Sequence, residues 1–489
     1  MIVETHNDLT GLRAEDLGRV HVIGIGGVGM NGVARLLVTR GIPTTGSDVR
    51  DWPPIAALRA LGATIHIGHD VSNLDNVDTV VYSTAIPDDN VELAEARRRG
   101  LRVLHRAEAL VVAMNDRKVI AVSGTNGKTT TTSMITTMLQ RCGSDPSFVI
   151  GGELADIGAS AHHGSGDSFV VEADESDKTF LLYHPDIALV TNVEEDHMDT
   201  YGDLAGVEKG FADFAERIVP GGTLVVCVDD PGAARLADYA RSRNINTATY
   251  GRSENADLRI VDLVADAAGS TYQAFYHGEA VGIVQLSVPG AHIALNSGGA
   301  LLAGLVAGMP PAELTEALSA YQGVRRRFEL KGIAAGVRVY DDYAYHPTSM
   351  NTQLETVRQV AGSGRVIVVF QPYRLYRTRA FQAEIAAALD VADEVIVMEV
   401  YGPGEERGPG EGGAALAAAM SLPESHVVFE PSWSAVPGRV VERARVGDLV
   451  ITMGAPPVMM MGEEILDALT AADAGEEQAD PPIAGATAQ

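Results

Sequence analysis

Twice along this chain, a short apolar run leads through a glycine-rich turn into a helical pattern. The first case starts at residue 20 and passes through GIGGVG at 24–29, and the second starts at residue 118 and passes through GTNGKTT at 124–130. A strand, a tight turn and a helix in this order are typical of a parallel, doubly wound sheet. The feature therefore predicts an α/β fold built on parallel strands.

Further apolar runs continue this alternation along the chain. They lie at 43–48, 79–84, 168–172, 187–191, 222–227, 337–340, 365–370, 394–400 and 448–453, with a β-rich insertion at 250–290. At about 150 residues per domain, a chain of 489 residues corresponds to about three domains. We predict an N-terminal Rossmann-like domain, a central P-loop ATPase-like domain, a C-terminal Rossmann-like domain and a disordered tail, over residues 1–112, 113–323, 324–470 and 471–489.

Composition and charge narrow the classes of partner. The chain has 46% hydrophobic residues, two cysteines and a formal net charge of -28. Such a charge repels phosphate backbones and anionic lipid, so we expect neither a nucleic-acid nor a membrane partner. The two cysteines fit a reducing compartment, and the N-terminus lacks the pattern of a secretory signal, so we expect a cytoplasmic protein.

The first glycine turn fits the G-x-G-x-x-G pattern of nucleotide-diphosphate sites. Its glycines let the backbone approach a diphosphate at the positive end of the following helix. Asp48 follows at about the spacing of a ribose-binding acid. The pattern alone does not separate NAD from other nucleotide diphosphates, so an NAD-dependent dehydrogenase stays an alternative at this point.

The second glycine turn is the stronger signal, because it carries a lysine and two threonines. Lys128 can reach phosphate oxygens, the hydroxyl of Thr129 can bind Mg²⁺, and the loop N–H groups can cradle phosphate. Val122 stands where the leading glycine of the full eight-residue pattern would be. We predict that ATP is bound by Gly124, Thr125, Asn126, Gly127, Lys128, Thr129 and Thr130.

Acidic residues and a histidine follow two neighbouring predicted strands. Glu172 ends the run FVVE, and His197 lies in the sequence EEDHMD at 194–199. Carboxylates at a strand end often belong to a solvated loop, and a lone histidine is often structural. Beside a phosphate loop, however, both groups become candidates for Mg²⁺ binding.

The third predicted domain carries basic and aromatic groups at its strand ends. A basic cluster at 325–327 can be a solvated charge run or can supply Arg327 to a γ-phosphate. The sequence DDYAYHP at 341–347 follows one strand, and Arg374 and Arg377 follow the next. Arginines three apart can share a helical face and bind one carboxylate or phosphate.

Taken together, these motifs resemble those of the Mur ligase family, and the resemblance spans residues 24 to about 469. It is closest to the branch that adds L-alanine. It rests on ordered matches in all three predicted domains: GIGGVGM at 24–30, GSD at 46–48, GTNGKTT at 124–130, EADESD at 172–177, DHMD at 196–199, DDP at 229–231, RRF at 326–328, DDY at 341–343, HPT at 346–348 and FQP at 370–372.

The resemblance implies an ATP-dependent ligase that joins an amino acid, L-alanine or a close alternative, to the carboxylate of UDP-N-acetylmuramate. The reaction would pass through an acyl phosphate, use Mg²⁺ and serve peptidoglycan synthesis, and with it cell shape and division. We expect a monomer or a weak homodimer.

The same resemblance assigns roles to individual residues. It implies a UDP-sugar site at Gly26, Gly27, Gly29 and Asp48. Catalytic roles fall to Lys128, Glu172, His197 and Arg327, and Mg²⁺ binding to Thr129, Glu172 and His197. Asn296, Arg327 and Asp342 would join the ATP site, and the amino acid would be bound by Tyr345, His346, Arg374 and Arg377.

Departures from the family pattern concentrate in the third domain. Tyr345 and Tyr373 stand where histidines are usual, and Pro456 and Pro457 replace a Gly-Asp or Gly-Asn pair. These changes favour an altered amine pocket, and so a paralogue of specialised metabolism with another amine or sugar nucleotide is one alternative. A folylpolyglutamate synthetase and a nucleotide-binding regulator without catalysis are two more.

Overall fold

The computed structural model describes residues 7, 9, 11–402, 404–405, 408, 410–455 and 457–479. The strands in chain order are β1 (Val20–Ile23), β2 (Thr44–Asp48), β3 (Thr64–Ile67), β4 (Thr79–Tyr82), β5 (Arg102–His105), β6 (Lys118–Ser123), β7 (Ser147–Val149), β8 (Ala161–His162), β9 (Ser168–Glu172), β10 (Ile187–Val190), β11 (Thr223–Cys227), β12 (Asn246–Gly251), β13 (Leu258–Asp266), β14 (Gly269–Tyr276), β15 (Glu279–Leu286), β16 (Glu329–Ala334), β17 (Val337–Asp342), β18 (Val366–Gln371), β19 (Glu394–Val397), β20 (Val427–Phe429) and β21 (Leu449–Gly454).

The α-helices alternate with these strands. They are α1 (Val28–Thr39), α2 (Pro53–Ala60), α3 (Val91–Arg99), α4 (Arg106–Met114), α5 (Lys128–Arg141), α6 (Met198–Tyr201), α7 (Leu204–Ala215), α8 (Pro231–Ser242), α9 (Ala291–Val306), α10 (Pro311–Ser319), α11 (Pro347–Ala361), α12 (Leu375–Ala380), α13 (Gln382–Leu389), α14 (Gly413–Ala418), α15 (Val436–Arg443) and α16 (Met461–Ala479).

The described strands form three sheets, and the predicted α/β class is confirmed. The first sheet has the order β3-β2-β1-β4-β5, and all its neighbours are parallel. The strand order reverses at β1, so the glycine turn that follows β1 opens at the crevice where doubly wound sheets bind nucleotides.

The second sheet has ten strands in the order β15-β14-β13-β12-β11-β10-β6-β9-β7-β8. Strand β6 lies between β9 and β10 and is parallel to both. The carboxyl ends of these three strands therefore bring the loop at 124–127, Glu172 and Asn192 to one edge. Strands β13, β14 and β15 are the insertion that the sequence predicted at 250–290.

The third sheet has the order β16-β17-β21-β18-β19-β20. Only its edge strand β16 is antiparallel to its neighbour among the described strands. Strand β21 lies between β17 and β18, and the segments after β17, β18 and β19 leave the sheet at the same edge. Aromatic and basic side chains of those segments are thereby brought together.

The chain divides into two compact units. One contains the described residues up to Val264 together with Thr271–Ser287 and Ile293–Gln322, and the other contains Ala265–Ser270, Val288–His292 and the described residues from Gly323 onward. Within the first unit, Phe180 stacks on Phe214 at 4.8 Å and meets the edge of Phe211 at 5.7 Å. These three fully buried rings fix α7 against the central sheet.

The predicted start of the disordered tail, at residue 471, is too early. Helix α16 continues through Ala479, so residues 471–479 are helical, and residues 480–489 lie outside the described part of the chain. Buried Ile465 and Leu469 anchor the helix. Once a helix is nucleated, alanine, glutamate and glutamine extend it at low cost, which explains the error.

Within the described part of the chain, no helix combines the length and apolar character needed to cross a membrane.

Candidate functional site

The loop between β6 and α5 is held in a phosphate-binding shape by contacts to the next strand end. The N–H of Asn126 donates to Asn192 Oδ1 at 2.7 Å, and Thr191 Oγ1 donates to the carbonyl of Asn126 at 2.5 Å. Gly127 has φ +85 and forms the N-terminal cap of α5. The first N–H groups of a 14-residue helix therefore face the loop, as anion binding requires.

Lys128 points back across this loop. Its Nζ donates to the carbonyl of Gly124 at 2.7 Å and to Glu175 Oε1 at 2.8 Å. Glu175 is only 2% exposed, so this ion pair is largely shielded from water. Glu175 is not among the predicted site residues, although the run of acids from 172 to 177 was the signal that could have identified it.

The carboxylates around Lys128 outnumber it. Burial lowers the pKa of Lys128, but the charges of Glu175, Asp174 and Glu172 outweigh burial and raise it. Burial also raises the pKa of Glu175 to about 7, although Lys128 opposes this shift. Burial is the main cause of the raised pKa of Glu175, and the charge of Asp174 adds to it. Such a site attracts a further cation.

Thr129 and Glu172 are the predicted oxygen ligands for such a cation. Thr129 Oγ1 donates to Glu172 Oε1 at 3.0 Å, and the N–H of Gly151 donates to Glu172 Oε2 at 2.7 Å. Among the described residues, no group of three or more His, Cys, Asp or Glu side chains has metal-binding geometry. The pair fits Mg²⁺, which commonly takes one or two protein oxygens and completes its shell with phosphates and waters.

His197 lies beside the same acids. Its Nε2 is 3.7 Å from Glu175 Oε1 and 3.6 Å from Asp196 Oδ2. It adopts the left-handed conformation (φ 55) immediately before α6. The structure therefore brings His197 to the Lys128 cluster through Glu175, and its role as a Mg²⁺ ligand stays a prediction.

Asn296 is brought to the phosphate loop by α9. It is buried, and a Cβ at Gly127 would lie 2.7 Å from its Oδ1. The side chain therefore packs against the cap of α5, and contact with adenine stays a prediction.

Asp48 ends β2 beside the first glycine turn, as predicted. Its carboxylate accepts the N–H of Gly26 at 2.9 Å and the indole N–H of Trp52 at 2.9 Å. A Cβ at Gly26 would lie 2.5 Å from Trp52 Cδ1, so the indole lies over this turn. Trp52 is a further candidate for this site. It lies four residues beyond the GSD sequence, and no motif includes it.

Gly29 lies in the first turn of α1, directly against a cation. A Cβ at this position would lie 2.2 Å from Arg106 Nη1, and Gly27 caps the same helix. The N-terminus of α1 and the Arg106 guanidinium therefore present positive charge at the predicted diphosphate site. Arg106 is not among the predicted site residues either, because it lies 77 positions beyond Gly29 and outside every quoted motif.

In the second unit, Asp342 fixes the segment that carries Arg327. Its carboxylate accepts the N–H of Phe328 at 2.8 Å and the N–H of Ala344 at 2.7 Å. Burial raises the pKa of Asp342, although the charge of Arg327 lowers it. The guanidinium of Arg327 lies 5.1 Å from the ring centre of Tyr343. The structure thus brings Arg327 and Asp342 together within one unit.

Arg374 and Arg377 are arranged differently from the expectation. Arg374 precedes α12 with φ +65, so the two arginines do not share a helical face. Instead, Arg377 lies 4.8 Å from the ring centre of Tyr345 and Arg374 lies 5.4 Å from that of Tyr373. The N–H of Arg374 donates to the carbonyl of Tyr401 at 3.0 Å, which holds it outside the helix.

The remaining predicted residues of this region have separate positions. His346 is 7% exposed, lies 5.0 Å from the ring of Phe381 and precedes α11. Pro456 lies outside the described residues.

Models of known protein domains match this chain over most of its length. The Mur ligase family, catalytic domain, matches residues 19–118. The Mur ligase middle domain matches residues 122–304, and the Mur ligase, glutamate ligase domain matches residues 326–456. The predicted domain boundaries themselves stay predictions.

Curated relatives of high identity include ligases that add L-alanine to UDP-N-acetylmuramate. The chain is 58% identical to the UDP-N-acetylmuramate--L-alanine ligase of Salinispora arenicola, over 95% of this chain and 91% of that protein. It is 52% identical to the ligase of the same name from Acidothermus cellulolyticus, over 94% and 96%. A solved UDP-N-acetylmuramate-alanine ligase from Thermotoga maritima superimposes with a TM-score of 0.78 at 25% identity, covering 93% of this chain and 99% of that one.

The fold, the phosphate loop and these relatives define the class of protein as an ATP-dependent ligase that forms amide bonds. Within that class, the chain belongs to the Mur ligase family.

Proposed function

We propose that this enzyme joins L-alanine to the lactyl carboxylate of UDP-N-acetylmuramate in peptidoglycan precursor synthesis, with ATP as the phosphoryl donor and Mg²⁺ as the metal. The observation that carries the proposal is the cluster of Lys128 and Thr129, at the start of α5, with Glu172, at the end of β9. The same chain also holds the glycine turn at Gly26, whose N–H donates to Asp48. The names of the relatives support the substrates.

The proposed reaction has two steps. A carboxylate oxygen of the sugar nucleotide attacks the γ-phosphorus of ATP, which forms an acyl phosphate and releases ADP. The amine of L-alanine then attacks the acyl carbon, an amide bond forms, phosphate leaves and the amine loses a proton. Phosphorylation is needed because a carboxylate is a poor acyl donor, and Mg²⁺ offsets the crowding of phosphate charge when bound.

The residues of the chain divide this work by position. The N–H groups at the start of α5 and the ammonium of Lys128 bind the phosphates, and Lys128 exchanges Glu175 for phosphate oxygen. Thr129 and Glu172, which lie within hydrogen-bond distance of each other, would hold the metal. Arg327 stabilises negative charge at the γ-phosphate, and Asp342 keeps its segment in place. Arg374 and Arg377 bind the carboxylate of L-alanine.

The comparisons favour L-alanine over the alternatives. The 58% identity over 95% of the chain argues against a dehydrogenase, a folylpolyglutamate synthetase and a regulator without catalysis. It also gives no support to a changed amine substrate, although Tyr345 and Tyr373 depart from the histidines usual in the family.

The direct test is the joint appearance of ADP and a new amide. The purified protein with ATP, Mg²⁺, UDP-N-acetylmuramate and L-alanine should produce the two in equal amounts by mass spectrometry. The substitution Lys128→Ala should lower the rate more than about 100-fold, because it removes a preorganised cation from the transferring phosphoryl group.

The matched control is Lys209→Ala. Lys209 is 73% exposed on α7 and pairs with Asp213 at 2.6 Å, so its loss should leave the rate within about twofold of wild type. Wild-type protein that forms no amide with L-alanine, or equal rates for both variants, would contradict the proposal.

A further inference from the structure

Four tyrosines form a continuous aromatic row in the second unit. Tyr343 meets Tyr345 at 5.7 Å between ring centres, Tyr345 meets Tyr373 at 5.4 Å, and Tyr373 stacks on Tyr401 at 6.5 Å. The four rings come from the segments after β17, β18 and β19. We call Tyr343, Tyr345, Tyr373 and Tyr401 the tyrosine row.

Three arginines lie on the faces of this row. The guanidinium carbons of Arg327, Arg377 and Arg374 are 5.1, 4.8 and 5.4 Å from the ring centres of Tyr343, Tyr345 and Tyr373. A guanidinium within about 6 Å of a ring centre is attracted by the negative face of the ring. Each of the first three rings therefore carries one of the arginines that the proposed reaction needs.

Backbone contacts hold the far end of the row. Tyr373 and Tyr401 form an isolated parallel bridge, and the N–H of Tyr401 donates to the carbonyl of Pro372 at 2.8 Å. Arg377 is only 3% exposed, so contacts within the protein, including the ring of Tyr345, fix the position of its side chain. The arginines are thus held before any amino acid arrives, which lowers the entropy cost of binding.

We infer that Tyr345 and Tyr373 are positioning residues that hold Arg377 and Arg374 for the carboxylate of the incoming amino acid. The inference rests on the proposed function. It also accounts for two residues that depart from the family pattern yet touch one another, since each supplies a broad aromatic face to one arginine of the pair.

The test compares Tyr345→Leu with Tyr345→Phe. The leucine variant loses the aromatic face, so its KM for L-alanine should rise about tenfold, while kcat and the KM values for ATP and UDP-N-acetylmuramate stay within about twofold. The phenylalanine variant keeps the face and should stay near wild type for all three substrates. Tyr276→Leu, at a half-buried tyrosine of the first unit, is the matched control and should change none of the constants.

A double-mutant cycle shows whether the ring acts through its arginine. If it does, Tyr345→Leu should add little to the KM of Arg377→Ala, whereas independent effects would multiply. An unchanged KM for L-alanine in Tyr345→Leu, an equal rise for all three substrates, or multiplicative effects would overturn the inference alone. Wild-type protein that makes no amide would overturn the proposed function, and the inference with it.

Discussion

Glu175 shows how one side chain sets the charge state of the phosphate loop. It pairs with Lys128, lies within 3.7 Å of His197, and also receives the Tyr201 hydroxyl at its carbonyl, at 2.6 Å. Its carboxyl is almost fully buried, so its proton is held more tightly in the folded protein than in the unfolded chain.

This raised pKa predicts how stability depends on pH without ligands. Below pH 4.5 the protonated Glu175 contributes fully, and the contribution is lost as pH rises through about 7. The variant Glu175→Gln lacks this loss, so its stability relative to wild type should increase by about 2 kcal/mol from pH 5 to pH 8. Melting temperatures of both proteins across that range measure the effect. Parallel curves would contradict it, and exposed Glu279→Gln serves as the control.

Trp52 gives a second prediction for a single residue, because the chain has only two tryptophans. In a Trp433→Phe variant the emission comes from Trp52 alone, and UDP should change it saturably, since a nucleotide at Asp48 meets the indole. In Trp52→Phe the remaining Trp433, which donates to Glu464 at 3.0 Å, should not respond. UDP that leaves the emission of Trp52 unchanged would argue against a nucleotide at Asp48.

At the level of elements, α1 and α5 share the same type of N-terminal cap but have different neighbouring side chains. Both helices begin after a glycine, at Gly27 and Gly127. Gly29, in the first turn of α1, borders Arg106, and the cap of α5 borders Asn296. Each N-terminus is thus available to an anion, while the neighbouring side chain limits the space beside it.

The cap of α5 yields a prediction with a close control. Gly127→Ala forces an L-residue to φ +85 and brings its Cβ within 2.7 Å of Asn296, so we expect a large loss of ATP turnover. Gly143→Ala imposes a similar φ of +81 with no atom within 4 Å. Both should cost about 1 kcal/mol in backbone strain, but only the first should reduce turnover. Melting temperature and ADP release distinguish the two effects, and equal turnover in both variants would contradict the prediction.

For the whole molecule, the charge balance makes local cations decisive. The chain has 65 acidic residues against 37 lysines and arginines, yet its proposed substrates are a nucleotide triphosphate, a sugar nucleotide and an amino-acid carboxylate. Such anions are repelled at long range and must be bound by a few placed groups. Lys128 in the first unit and Arg327, Arg374 and Arg377 in the second unit are groups of this kind.

Much of this architecture could be predicted, because strands, glycine turns and helix starts are written in local sequence. The loop at 124–130 and the strand end at Glu172 are examples, and the parallel pairing of β6 with β9 agrees with the predicted fold class. Other contacts could not be predicted. They are the pairing of Lys128 with Glu175, the indole over Gly26 and the aromatic rings next to Arg374 and Arg377. They depend on contacts between distant segments, which no local pattern encodes. The C-terminal extent of α16 was also not predicted. Here the local sequence contains good helix formers, but its polar composition indicated disorder instead.

The internal contacts of Lys128 have a consequence for turnover. Its ammonium is already satisfied by the carbonyl of Gly124 and by Glu175, so a nucleotide gains only the difference between its phosphates and these internal rivals. The carbonyl of Gly124 and the carboxylate of Glu175 can bind the lysine again when ADP leaves. We therefore expect this competition to speed the release of ADP.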